Sequence, residues 1–186
     1  DVDSKYGSEI ERSIKYLLTN FKDTVNLFCR LKNDWKGKKR EQERKQLRTL
    51  LGFNLERLSN LQGVSVELYK SLVLPSVLET VQKYKDPMSQ EYLLQCIVGA
   101  FADEYHLETL DMLLTACTKV HSKVDIKTVY IDLMDRLQIY AKNYPDNLGD
   151  VNLVETINSY IQKTVGEQLK PLDFLLIQRS LLGLSL

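Results

Sequence analysis

Apolar residues recur three and four positions apart along almost the whole chain, which is the spacing of amphipathic helices. From about 8 to 32 the stripe reads Ile10, Ile14, Leu17, Leu18, Phe21, Val25, Phe28 and Leu31. A second helix is predicted over about 38–60, with Leu47, Leu50, Leu51, Leu55 and Leu58 as its stripe and Gly63 closing it. Ser65 is placed to cap a third, in which Pro75 predicts a kink or a break. Asp86-Pro87 is a strong helix start, followed by Leu93, Cys96 and Ile97. The fifth helix carries Leu107 to Cys117, after a break at 101–104 that Asp103 caps. The sixth opens at Asp125 and runs through Tyr140, and the seventh carries Leu153 to Val165. Lys170-Pro171 introduces a last segment, Leu172 to Leu186, that is apolar nearly all round. It reads either as a helix waiting for a neighbour or as the buried centre of a bundle.

The pattern predicts an all-α chain of about eight helices. Short links make neighbours antiparallel, and pairs fall at about 8–60, 65–100, 105–142 and 150–186, within the range of HEAT-like repeats. The expected architecture is an α-solenoid of antiparallel helix pairs. A solenoid ordinarily ends in a polar cap. The apolar last segment therefore points to 1–186 being one segment of a longer stack.

Charge changes this picture locally. Across the chain 25 Lys and Arg balance 25 Asp and Glu, and a neutral balance argues against nucleic acid as a partner of the whole body. Between Lys36 and Arg48, however, seven basic residues face only Glu41 and Glu43, a local charge of +5. Arg40, Arg44 and Arg48 share the azimuth of Leu47, Leu51 and Leu55, so one helical face turns from cationic to apolar. Its cationic turns cannot enter an apolar core unpaired. They are expected to project, or to meet acids such as Glu9 and Glu11. Trp35, Lys38, Lys39, Arg40 and Arg44 form the candidate interaction surface, for an acidic partner segment, anionic lipid or RNA. A solvated hairpin tip is the plain alternative.

Catalytic, cofactor and metal sites are not indicated. His106 lies among Asp103, Glu104 and Glu108, but the His-Glu-x-x-His spacing of a zinc helix is missing, and His121 sits in a polar link. Cys29, Cys96 and Cys117 are odd in number and lie in apolar patterns, which predicts buried, protonated thiols. Tyr16, Tyr69, Tyr92, Tyr130, Tyr140 and Tyr160 fall near the stripes and are expected to pack between helices.

Three stretches carry a resemblance. They are Lys39 to Gly63, Gln90 to Ile97 with Phe101 to Leu110, and Val124 to Val129 with Leu133 to Leu137. Together they resemble the retromer large-subunit family, vacuolar protein sorting-associated protein 35, in the central part of its N-terminal half. The resemblance covers about Tyr16 to Ala141 and implies a right-handed HEAT-like solenoid without catalytic residues. It implies a cytoplasmic scaffold, peripheral on endosomal membranes, that retrieves transmembrane cargo to the Golgi or plasma membrane. It also implies sorting nexins and cargo tails as partners. The family's arrestin-like and phosphoesterase-fold small subunits bind outside this segment, and its Pro-Arg-Leu-Tyr-Leu segment does not occur here.

Overall fold

A computed structural model describes residues 2–30, 38–148, 152–164 and 170–184. Among these residues all regular structure is helical. The helices are α1 (Val2–Arg30), α2 (Lys38–Ser59), α3 (Val66–Leu68), α4 (Leu74–Lys83), α5 (Pro87–Ala100), α6 (Asp103–Glu108), α7 (Leu110–Cys117), α8 (Ile126–Asn143), α9 (Leu153–Thr164) and α10 (Pro171–Leu184).

They stack in two layers. In one, α1 packs on α4, α4 on α7, and α7 on α9; in the other, α2 packs on α5, α5 on α8, and α8 on α10. The layers meet where α1 faces α2, α4 faces α5 and α9 faces α10. Helices within a layer run parallel, as their contacts show. Lys127 at the start of α8 meets Asp173 at the start of α10, and Gln138 near the end of α8 donates to the Gly183 carbonyl near the end of α10. Thr115 reaches Tyr160 between the ends of α7 and α9. This is the α-solenoid of antiparallel pairs that the periodicity predicted.

Between the layers runs one continuous core. Ile14, Phe21 and Val25 of α1 meet Leu51, Leu55 and Leu58 of α2, all fully buried. The core continues through Leu93, Leu94 and Ile97 to Leu133, Met134 and Leu137. Each such side chain contributes about 1.5–3 kcal/mol of burial.

Local expectations hold in part. Asp86 caps α5, its carboxylate accepting from the Ser89 N–H at 3.1 Å and the Ser89 hydroxyl at 2.5 Å. Pro75 does not break the third helix. A π turn, Tyr69–Val73, lies just before it, and the Leu74 N–H reaches back five residues to the Tyr69 carbonyl. The π turn shifts the hydrogen-bond register just ahead of the proline, and α3, the π turn and α4 follow one another without a gap. The fifth helix is divided at Thr109, whose φ of −123° and ψ of 17° leave the helical region. Asp103 is not its cap: Ala102 occupies that position, and the Asp103 carboxylate turns instead to Arg136. Gly63 sits four residues beyond α2, in a turn with φ of +85° that a side chain would strain.

Other differences concern burial. Tyr16 is 68% exposed, because its position lies on the outer side of α1. Cys117 is buried as expected, whereas Cys29 and Cys96 are half-buried, and so is His121. The last helix is not the buried centre of a bundle. Ile177 and Leu181 face α8 and α9, while Leu172, Leu175 and Leu182 stand in solvent.

Replacing Asp86 with Ala removes a buried cap and leaves the Ser89 N–H and hydroxyl without that acceptor. Urea unfolding followed by far-UV circular dichroism is predicted to show a loss of about 1–2 kcal/mol with an unchanged m-value.

Candidate interaction surface

Of the basic residues singled out in the sequence, Trp35 lies outside the described residues. Lys38, Lys39, Arg40 and Arg44 fall in the first two turns of α2, where the backbone alone is described. Arg48, one turn further, is defined. Its guanidinium lies 4.2 Å from the centre of the Tyr92 ring, and its carbonyl accepts from the Tyr92 hydroxyl at 2.6 Å. Tyr92 is five residues into α5 and Arg48 ten residues into α2, so α2 has more residues ahead of this contact than α5 has. Gly52 makes the Tyr92 approach possible, since a Cβ there would stand 3.1 Å from the hydroxyl. Glu11, proposed as a partner for the basic turns, pairs with Lys15 on its own helix at 3.5 Å.

Three open grooves lie between helices. One of about 420 Å³ separates α4 from α7, with Pro75, Leu78 and Met112 as its apolar part and Glu79 and Asp111 at its rim. One of about 770 Å³ lies beside Leu17, Phe53 and Leu61. One of about 620 Å³ lies at the starts of α8 and α10, between Lys123 and Lys170. None of the three is lined by a histidine or a cysteine.

His106 is fully buried elsewhere. Its Nε2 is 3.1 Å from the Val98 carbonyl, at the end of α5. The same chain end receives Arg136 from α8. Its Nε donates to Asp103 Oδ1 at 2.7 Å, its Nη2 to the Phe101 carbonyl at 2.9 Å, and its Nη1 to the Val98 carbonyl. One guanidinium thus binds a carbonyl of the last turn of α5 and that of the residue after it, and neutralises the first residue of α6. Burial, and next the nearby Arg136 charge, push the His106 imidazole down to about 4. The ring is therefore neutral near pH 7, in a site closed to solvent. Burial likewise raises the Cys96 thiol, and raises Cys117 to about 12, which leaves both protonated. Among the described residues no group of three or more His, Cys, Asp and Glu could hold a metal ion, and no helix is long and apolar enough to cross a membrane.

Sequence periodicity could not have found the Arg136 junction. Its partners lie 33 to 38 residues away, and Asp103 read locally looks like a cap.

Stacked helix pairs with open grooves between them define an α-solenoid. A profile of the family described as vacuolar protein sorting-associated protein 35 matches residues 1–186. The chain is 42% identical over 164 residues to vacuolar protein sorting-associated protein 35B of Arabidopsis thaliana, covering 85% of this chain and 21% of that protein. It is 36% identical over 195 residues to vacuolar protein sorting-associated protein 35 of Dictyostelium discoideum, covering 100% of this chain and 25% of the relative. The Schizosaccharomyces pombe protein of that name is 32% identical over 158 residues, with 83% and 19% covered. The chain belongs to the vacuolar protein sorting-associated protein 35 family, and spans about a fifth to a quarter of the length of these curated relatives.

The His106 environment sets a pH dependence. The folded state holds the imidazole neutral down to about 4, while the unfolded chain binds the proton near the ordinary value of 6.5. Stability is therefore complete above 6.5 and falls as pH drops from 6.5 towards 4, by about 3 kcal/mol in all. Urea midpoints taken across that window should show the slope, and His106→Gln should flatten it.

Proposed function

We propose that the chain is a non-enzymatic scaffold segment of the large subunit of retromer, acting in retrieval of transmembrane cargo from endosomes to the Golgi or plasma membrane. The single observation that carries this reading is the family match over residues 1–186, on a fold built for reach rather than for chemistry. A solenoid keeps separate binding surfaces at fixed spacing, and its repeats flex only slightly against one another. The arrestin-like and phosphoesterase-fold small subunits attach through parts of the polypeptide outside 1–186. Sorting nexins and cargo tails are the remaining partners, and the assembly is cytoplasmic and peripheral on endosomal membranes.

In this reading the whole of 1–186 is one solenoid segment of a longer stack. The exposed Leu175 and Leu182 of α10 support that, because a further helix pair would cover them. The start of α2, with Trp35, Lys38, Lys39, Arg40 and Arg44, is the proposed docking point for a partner. The local charge of +5 between Lys36 and Arg48 supports this choice.

The test is affinity capture from cell lysate on the immobilised chain, beside an Arg40→Glu/Arg44→Glu variant, with bound proteins identified by mass spectrometry. The expected result is enrichment of sorting nexins or other endosomal coat proteins, lost in the variant. Recovery of RNA with RNA-binding proteins would instead make α2 a nucleic-acid contact and overturn the scaffold reading of that surface.

A further inference from the structure

The neutral balance of the chain hides a partition of charge between the two edges of the solenoid. One edge holds the turns that lead from the α1–α4–α7–α9 layer into the α2–α5–α8–α10 layer. Counted from the last turn of one helix to the first turn of the next, and leaving out the α1–α2 link, its described residues carry seven lysines against three aspartates, a net of +4. The opposite edge, counted in the same way, carries six acids against Arg57 and Lys142, a net of −4.

The acids have a reason within the fold. Glu67, Asp103, Glu104 and Glu155 lie in the first turns of helices, where the positive end of the helix dipole favours them. Three of the lysines also have one: Lys83 and Lys163 close α4 and α9, and Lys119 follows α7, at the negative ends of helices. Lys127 is held by Asp173 at 3.0 Å and by Asp125 at 3.8 Å. The other three are different. Lys85 immediately precedes the Asp86 cap of α5, Lys123 lies two residues before the Asp125 cap of α8, and Lys170 immediately precedes α10. Each puts a cation at the positive end of a helix, where the dipole opposes it. All three are exposed, and among the described residues none pairs with a carboxylate. Lys38, Lys39 and Arg40 occupy the same place at the start of α2. All four helices of this layer therefore start next to cations that their own dipoles disfavour, so helix-end stability does not account for these residues.

The acids of this edge are engaged within it: Asp86 is buried in its cap, Asp125 and Asp173 are tied to Lys127 in the lining of the groove below, and Glu91, one residue past the first turn of α5, accepts from the Asp125 N–H at 3.0 Å. Apolar side chains stand among the free lysines: Met88, 57% exposed, follows Lys85 by three residues, and Leu172, 68% exposed, follows Lys170 by two. The surface there is concave. The groove of about 620 Å³ runs between Lys123 and Lys170 with Val124 and Leu172 in its wall.

We propose that this edge is a docking surface for an extended acidic protein segment with apolar anchor residues. Its carboxylates would lie on Lys85, Lys123 and Lys170, and its anchors beside Met88 and in the groove at Leu172. The groove and the interspersed apolar residues favour a peptide over a flat bilayer, which a row of surface lysines alone would not distinguish.

The test uses the folded chain and a fluorescein-labelled peptide of about 16 residues that alternates Asp-Glu pairs with Leu and Phe, read by fluorescence anisotropy at about 0.1 M salt. Saturable binding in the micromolar range is expected. The Lys85→Glu/Lys123→Glu/Lys170→Glu variant should bind at least about tenfold more weakly with unchanged helicity, since the three sites are exposed. Reversal on the other edge, Glu104→Lys/Asp146→Lys, should not weaken binding. Leu172→Ala should weaken it without altering net charge, a loss that a purely electrostatic encounter would not show. Absence of saturable binding, or equal affinity in the triple-lysine variant, would overturn the proposal. So would binding confined to vesicles of phosphatidylcholine with about one-fifth phosphatidylserine, which would make the edge a lipid contact.

Discussion

The guanidinium of Arg136 sits where the solenoid has the least regular structure to rely on. Helix α5 ends at Ala100, and two residues later the chain has already turned into α6. The last carbonyls of α5 would point into a part-buried junction with no helical partner. Arg136 supplies donors to the Val98 carbonyl of α5 and to the carbonyl of Phe101, which follows the helix, and a counter-charge to Asp103, in one planar group. It reaches there from the middle of α8, the next helix of the layer, and so fixes how one helix pair sits against the following one. His106, sharing the Val98 carbonyl, stays neutral because it is buried beside that charge. The core on either side is aliphatic packing, which is non-directional in its driving force. A planar fork of hydrogen bonds is directional and adds a fixed point at the centre of the stack.

That geometry is also what makes the edges of the solenoid meaningful. Parallel helices within each layer bring all turns of one kind to one side. A charge preference repeated in each turn then adds up to a face, although the turns are some forty residues apart in sequence. The total charge of zero is uninformative for this reason. The Cys96 and Cys117 thiols and the His106 imidazole are held in their neutral forms by burial, and the open spaces are grooves between helices.

Much of this was legible in the sequence, because a helix pair announces itself through spacing alone. Asp86-Pro87, the stripe Leu51, Leu55 and Leu58, and the start of α8 at Asp125 are local signals, and they hold. Where the reading failed, the cause lay elsewhere in the chain. Pro75 looks like a break, and a π turn one step upstream makes it harmless. Asp103 looks like a cap, and a partner 33 residues away claims it. Tyr16 follows the apolar stripe closely enough to mislead, since a helix one residue out of phase presents the ring to solvent. The basic turns of α2 were visible at once because they are contiguous. Lys85, Lys123 and Lys170 were not, because nothing in the sequence relates them until the layers are known.

Hydrogen exchange of the native chain beside Arg136→Met tests the central claim most directly, that the stack is one cooperative body locked between α5 and α8. In the native chain the slowest amides of α5 and α8 are predicted to exchange through a shared opening, with the same free energy and the same denaturant dependence. In the variant they should part into two units, one reaching from α1 to α5 and the other from α8 to α10. If α5 and α8 still open together after Arg136 is removed, aliphatic packing alone holds the stack, and the junction is not what the structure depends on.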